Sequence, residues 1–142
     1  MKLEELNVYN LAIDIGERIW IMVKSWDYFA QDTLGKQLIR AIDSVAANLS
    51  EGFGRYHFKE VKNFGYFSRG SLYEAKTWLT KAKNRALIKD DDYEDLVKEI
   101  NNLGVKLNNY INSIGRNKTK SQSNDKKIPI EPQLNDYENN SH

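Results

Sequence analysis

Between Tyr93 and Ile114, apolar residues recur at alternating steps of three and four: Tyr93, Leu96, Ile100, Leu103, Leu107, Tyr110 and Ile114. Three such heptads specify a helix with one continuous apolar seam, and other helices must cover that seam. A half-buried strand would need alternation at every second residue instead, and no segment shows it. The rest of the chain has to supply the covering surfaces.

Three further segments do so. From Leu6 to about Trp26, Val8, Ala12, Ile15, Ile19, Val23 and Trp26 make one seam, and Tyr9, Ile13 and Trp20 make a second apolar stripe beside it. One seam needs one neighbour; two imply a flanking helix or a second subunit, unless Trp20 is simply a well-covered core residue. The pattern breaks between Asp27 and Asp32, and Asp32 suits the N-cap of the next helix. That helix contains Gln37–Arg55, where Leu38, Ala41, Ile42, Val45 and Leu49 face a core and Arg40, Ser44, Asn48 and Glu51 follow the same period on an adjoining stripe. Gly52 and Gly54 are expected to stop it by adopting the left-handed conformation. A third helix, about Phe58 to Arg85, carries Val61, Gly65, Ser68, Leu72, Ala75, Leu79 and Ala82 as its seam, with Phe64, Phe67, Ser71, Glu74 and Trp78 as a second stripe. Asp90, Asp91 and Asp92 are expected to cap the fourth helix, where negative charge favours the positive end of the dipole, and Gly115 to end it.

The expected fold is therefore all-α, an antiparallel up-down-up-down four-helix bundle over residues 1–115, with a disordered polar tail over 116–142. The tail holds both prolines, Pro129 and Pro132, and almost no apolar period, too little to offset the entropy of ordering it. Its first half is basic (Arg116, Lys118, Lys120, Lys126 and Lys127 against Asp125, net +4) and its second half acidic (Glu131, Asp136 and Glu138, net −3). Such a basic run either touches RNA or serves as a soluble tail.

Composition removes several function classes. With no cysteine there are no disulfides or thiolate metal ligands, and a reducing compartment fits. Two histidines, His57 and His142, without any Glu-x-x-His, leave no di-metal carboxylate site of the kind bundles house, so no metal or cofactor is expected. Nucleophilic catalysis lacks its parts as well, and Gly52-Phe53-Gly54 lacks the lysine of a phosphate loop. No signal-like segment and no run near about 18 apolar residues is present, which gives the expectation of a cytoplasmic, non-enzymatic protein away from membranes.

Two constellations remain. Arg40, Ser44, Asn48 and Glu51 on the second helix face Ser71 and Glu74 on the third if the two run antiparallel; Arg40 then meets Glu74, and Asn48 meets Ser71. Such a group either fixes helix register or subunit pairing, or binds a polar ligand. Charge is also uneven: residues 58–89 carry net +6 and residues 90–115 net −4, although the whole chain is only +1. The first surface is a candidate for phosphate contact, or else it pairs its charges with the fourth helix or another copy.

The quoted residues resemble the bacterial four-helix-bundle proteins encoded in intervening sequences of 23S ribosomal RNA genes. The resemblance covers about residues 5–114. It rests on Leu6-x-Val8-Tyr9 with Ala12, Gln37-Leu38-x-Arg40-Ala41, Ser44-Val45 through Asn48-Leu49-Ser50-Glu51-Gly52 with Arg55, then Phe64 and Arg69-Gly70-Ser71 with Glu74. Leu49-Ser50 departs from the family's usual Ile-Ala. The resemblance implies a homo-oligomeric ring, typically of five, and distant kinship to the nucleic-acid-binding accessory bundle of diversity-generating retroelements. It makes Arg55, Lys59, Lys62, Lys81, Lys83 and Arg85 candidate contacts to RNA or DNA. The alternative is a protein-interaction scaffold whose charges only solubilise it.

Overall fold

The computed structural model describes residues 1–116; the tail expected to be disordered lies, beyond Arg116, outside the described residues. A short 3-10 turn, Leu3–Glu5, leads into helix α1 (Asn7–Lys24). Helix α2 (Lys36–Phe53) follows a helical turn, Tyr28–Ala30, and a π-helical turn, Gln31–Gly35; α3 is Phe58–Asn84 and α4 is Asp90–Ser113. Among the described residues there is no strand.

Packing follows chain order around a square: α1 on α2, α2 on α3, α3 on α4, and α4 back on α1, with α2 against α3 the most extensive pair. The seams read from the sequence form the core. Ile15 and Ile19, Leu38 and Ile42, Leu72 and Leu79, and Ile100, Leu103 and Leu107 are all buried to 1 % exposure or less. Burying each such side chain contributes on the order of 2 kcal/mol, which makes this shared interior the main source of stability. One ion-pair cluster clasps α1 to α4: Arg18 reaches Asp95 at 2.8 Å and Glu99 at 3.0 Å.

Three helix boundaries differ from the sequence expectation. The cap before α2 is Asp27, whose carboxylate accepts from the Ala30 N–H at 2.9 Å; Asp32 lies inside the π turn and pairs with Lys36 at 2.6 Å. The chain is already helical there because Ala30 and Leu34 continue the buried seam, and the wide turn absorbs the residue that breaks its period. Gln31 fills the joint by donating to the Val23 and Lys24 carbonyls at 3.2 and 3.0 Å, so the end of α1 is capped from the next element.

The Gly52-Gly54 stop also works differently. Gly54 caps α2 at φ −81°, in ordinary helical territory, and Gly52 is a buried helical residue. A Cβ at Gly52 would lie 2.7 Å from Phe64 Cβ, so this glycine is required by the close approach of α3. Gly115 does take the left-handed conformation expected of a terminator, at φ +76°. At the head of α4 the N-cap is Lys89, and the three aspartates occupy the first turn, where the helix dipole still favours them.

Candidate functional site

The polar stripe on α2 meets α3 through one hydroxyl. Ser44 Oγ accepts from Asn48 Nδ2 and from Ser71 Oγ, both at 3.0 Å, and Asn48 also donates to the Ser44 carbonyl at 2.9 Å. One turn further down, the buried Ser68 hydroxyl donates to the Val45 carbonyl at 2.9 Å. Asn48 and Ser71 thus meet through Ser44 rather than directly.

The charged members of the expected network stand apart from it. Among the described residues no ion pair joins Arg40 to Glu74. Glu74 accepts from Trp78 Nε1 at 3.2 Å within its own helix, and Glu51 holds Arg55 at 2.6 Å, one turn away. Arg40 is exposed and lines the opposite flank of α2. A residue shared by two stripes can turn to either, and desolvating a guanidinium beside α3 costs more than leaving it in water.

The candidate phosphate contacts separate into two groups. Arg55, Lys59 and Lys62 lie where α2 ends and α3 begins, beside Tyr56, which is 92 % exposed and packs edge-on against His57. Arg55 also lies over the Phe64 ring at 4.9 Å. Lys81, Lys83 and Arg85 sit at the other end of α3, with Lys83 Nζ 4.5 Å from the Tyr93 ring centre. At 1.5 Å per residue the groups are roughly 30–40 Å apart, so they occupy opposite ends of the bundle.

A groove between α1 and α2 contains residues the sequence reading did not assemble. Its upper part, about 350 Å³, is lined by Trp20, Lys24, Gln31, Lys36, Ile39 and Arg40. Its lower part, about 300 Å³, is lined by Tyr9, Ile13, Glu17, Asp43, Ala47 and Ser50 among others. The Tyr9-Ile13-Trp20 stripe forms its apolar spine, and Trp20 is 50 % exposed. Asp43 lies close against α1, since a Cβ at Gly16 would stand 3.0 Å from its Oδ1. Burial between the helices, and next the charge of Glu17, raise the Asp43 carboxyl above its ordinary value. Glu17 and Lys24 were legible as neighbours of the stripe, three to four residues from Ile13 and Trp20; Asp43 and Lys36 enter only when α2 is laid alongside.

Among the described residues no three potential metal-ligating His, Cys, Asp or Glu side chains converge, and no helix is long and apolar enough to cross a membrane. The polar groups that α2 and α3 bring together, Ser44, Asn48, Ser68 and Ser71, are satisfied by one another or by backbone carbonyls, which suits a structural role.

A family model described as 23S rRNA-intervening sequence protein matches residues 4–109. The chain is similar to the crystal structure of a protein of unknown function from the S23 ribosomal protein family of Bacteroides thetaiotaomicron, with a TM-score of 0.69 at 19 % identity, covering 80 % of this chain and 100 % of that one. At that identity the likeness establishes the fold. No curated protein matches.

Proposed function

The chain belongs to the 23S rRNA-intervening sequence protein family, and we propose that it is a non-enzymatic bundle that assembles with copies of itself and binds RNA or DNA through its basic ends. The observation that carries the assembly is a pair of uncovered apolar stripes. One, on α1, exposes Ile13 and Trp20; the other, on α3, exposes Phe67 (57 %) beside the half-buried Phe64 and Trp78. Two different stripes on one protomer favour a head-to-tail contact, α1 of one copy against α3 of the next, and such contacts form a ring where the rotation between copies closes. A ring of five is the expected size. Exposed aromatic area of this kind in a free monomer is unusual unless a partner covers it.

Assembly would also multiply a modest charge. One copy offers Arg55, Lys59 and Lys62 around an exposed Tyr56, a pattern suited to phosphate contact with a stackable ring nearby, but Arg55 is already engaged by Glu51. Repetition around a ring raises the effective concentration of each patch for one nucleic-acid strand. The test is titration of labelled structured RNA and single-stranded DNA at two salt concentrations, with the chain intact and cut after Arg116. Salt-steep binding that survives the cut and falls about tenfold or more in Lys59→Glu with Lys62→Glu supports the reading. Absence of binding at low salt retires the nucleic-acid part. The scaffold alternative then stands, because the uncovered stripes also suit a different protein partner; light scattering that finds a monomer at micromolar concentration removes self-assembly.

A further inference from the structure

The α1–α2 groove has a polarity. Its lower half is negative, with Glu17 and Asp43, and its upper half is positive, with Lys24 and Arg40; among the described residues none of these four makes an ion pair. Between the two lies the half-exposed face of Trp20, with Ile13 one turn below Glu17 and Ile39 just above Arg40.

Beyond Arg116 the same chain carries the sequence Lys126-Lys127-Ile128-Pro129-Ile130-Glu131. Its order of charge, two cations, two isoleucines and an anion, is the complement of the groove read upward. We propose that this segment docks in the α1–α2 groove of its own chain, with Lys126 and Lys127 at Glu17 and Asp43, Ile128 and Ile130 on Trp20, and Glu131 at Lys24 and Arg40.

Dimensions agree. Lys127 to Glu131 covers about 12–13 Å in the extended or polyproline conformation that Pro129 favours. Glu17 to Lys24 covers about 10 Å along α1. The nine residues 117–125 connect the segment to Arg116, at the same end of the bundle as Tyr9 and the lower groove. They reach at most about 33 Å, whereas the groove is about two helix spacings, roughly 20 Å, from the end of α4. The reverse direction sets Glu131 against Asp43 and the lysines against Arg40, so charge fixes the polarity of docking. The inference goes beyond the nucleic-acid reading and does not depend on it. It adds a competition, since the docked segment covers Trp20 and a neighbouring copy must displace it to use the α1 stripe.

Hydrogen exchange on the full chain tests this, with light scattering on the same samples to read assembly separately. The amides of Ile128, Ile130 and Glu131 should exchange about tenfold or more slowly compared with a free peptide of residues 117–142. Lys126→Glu with Lys127→Glu should abolish the slowing, and adding Glu17→Lys with Asp43→Lys, both on exposed positions, should restore it. Free-peptide rates in the intact chain overturn the proposal, as does slowing that ignores either charge reversal or fails to return in the fourfold variant. Slowing that fades on dilution also overturns it, because the groove of a second copy is then the host.

Discussion

Helix α2 has two flanks that solve different problems. Toward α3 it is closed: Gly52 admits Phe64, the Ser68 hydroxyl reaches the Val45 carbonyl, and Ser44 joins Asn48 to Ser71. Toward α1 it closes only at depth, and its outer edge is a groove in which Glu17, Asp43, Lys24 and Arg40 make no ion pair among the described residues. Small residues at the first contact let backbones approach and leave little room for anything else. At the second, Trp20, Lys36 and Arg40 line an open outer edge. The satisfied flank stabilises the bundle, and the open one is the surface on which the proposed contacts depend.

The sharpest break of this contrast is Gly52→Val. Overpacking against Phe64 should cost about 3 kcal/mol, a drop of roughly 10 °C in a circular-dichroism melt. An unchanged melt would mean that α2 and α3 are not in such close contact. Next comes Ser44→Ala, expected to cost about 1 kcal/mol, because two donors lose their shared acceptor. Combined with Ser71→Ala, the losses should be less than additive in a denaturant titration, and strict additivity would separate the two residues.

On the open flank stability should hardly respond. Trp20→Lys is expected to move it by about 0.5 kcal/mol or less, since a lysine stem still covers part of the groove, while the mass measured by light scattering falls toward that of a monomer. A large loss of stability with unchanged mass would reclassify Trp20 as core. The smallest effect concerns pH. A carboxyl raised in the fold binds its proton more tightly there than in the unfolded chain, so Asp43 lowers stability as pH rises from the ordinary value of 3.8 through the raised one. Stability is regained as pH falls through the same window. Asp43→Asn should remove that slope and raise neutral-pH stability by about 0.3 kcal/mol, a small gain because solvent screens the site. A variant with the same pH slope as the parent would show that Asp43 is not the titrating group.

Much of this was legible beforehand. Except for the half-buried Val61, Tyr93 and Tyr110, the seams from Val8 to Trp26, Leu38 to Leu49, Val61 to Ala82 and Tyr93 to Ile114 are buried as their spacing required, because helical period alone decides which side chains share a face. The second stripes were legible too, as apolar or polar residues beyond what one seam needs. Partner choice was harder to read. Arg40 and Glu74 are at positions that fit an antiparallel pair, yet each turned elsewhere, since a long side chain can leave its stripe for water or for a residue one turn away. Asp32 and Gly54 show the same limit at helix ends, where several residues are chemically suitable and packing selects one.

By itself the sequence determined that there are four helices, which face of each is buried, and that two helices carry more apolar surface than the core uses. These are properties of local period and composition, and they survive any arrangement that covers the seams. The tertiary structure decided which helices adjoin, and hence that Ser44 faces Ser71 and that Asp43 of α2 comes to rest beside Glu17 of α1. Those outcomes depend on the rotation and separation of neighbouring helices, which side-chain volume at each contact sets and no single helix encodes.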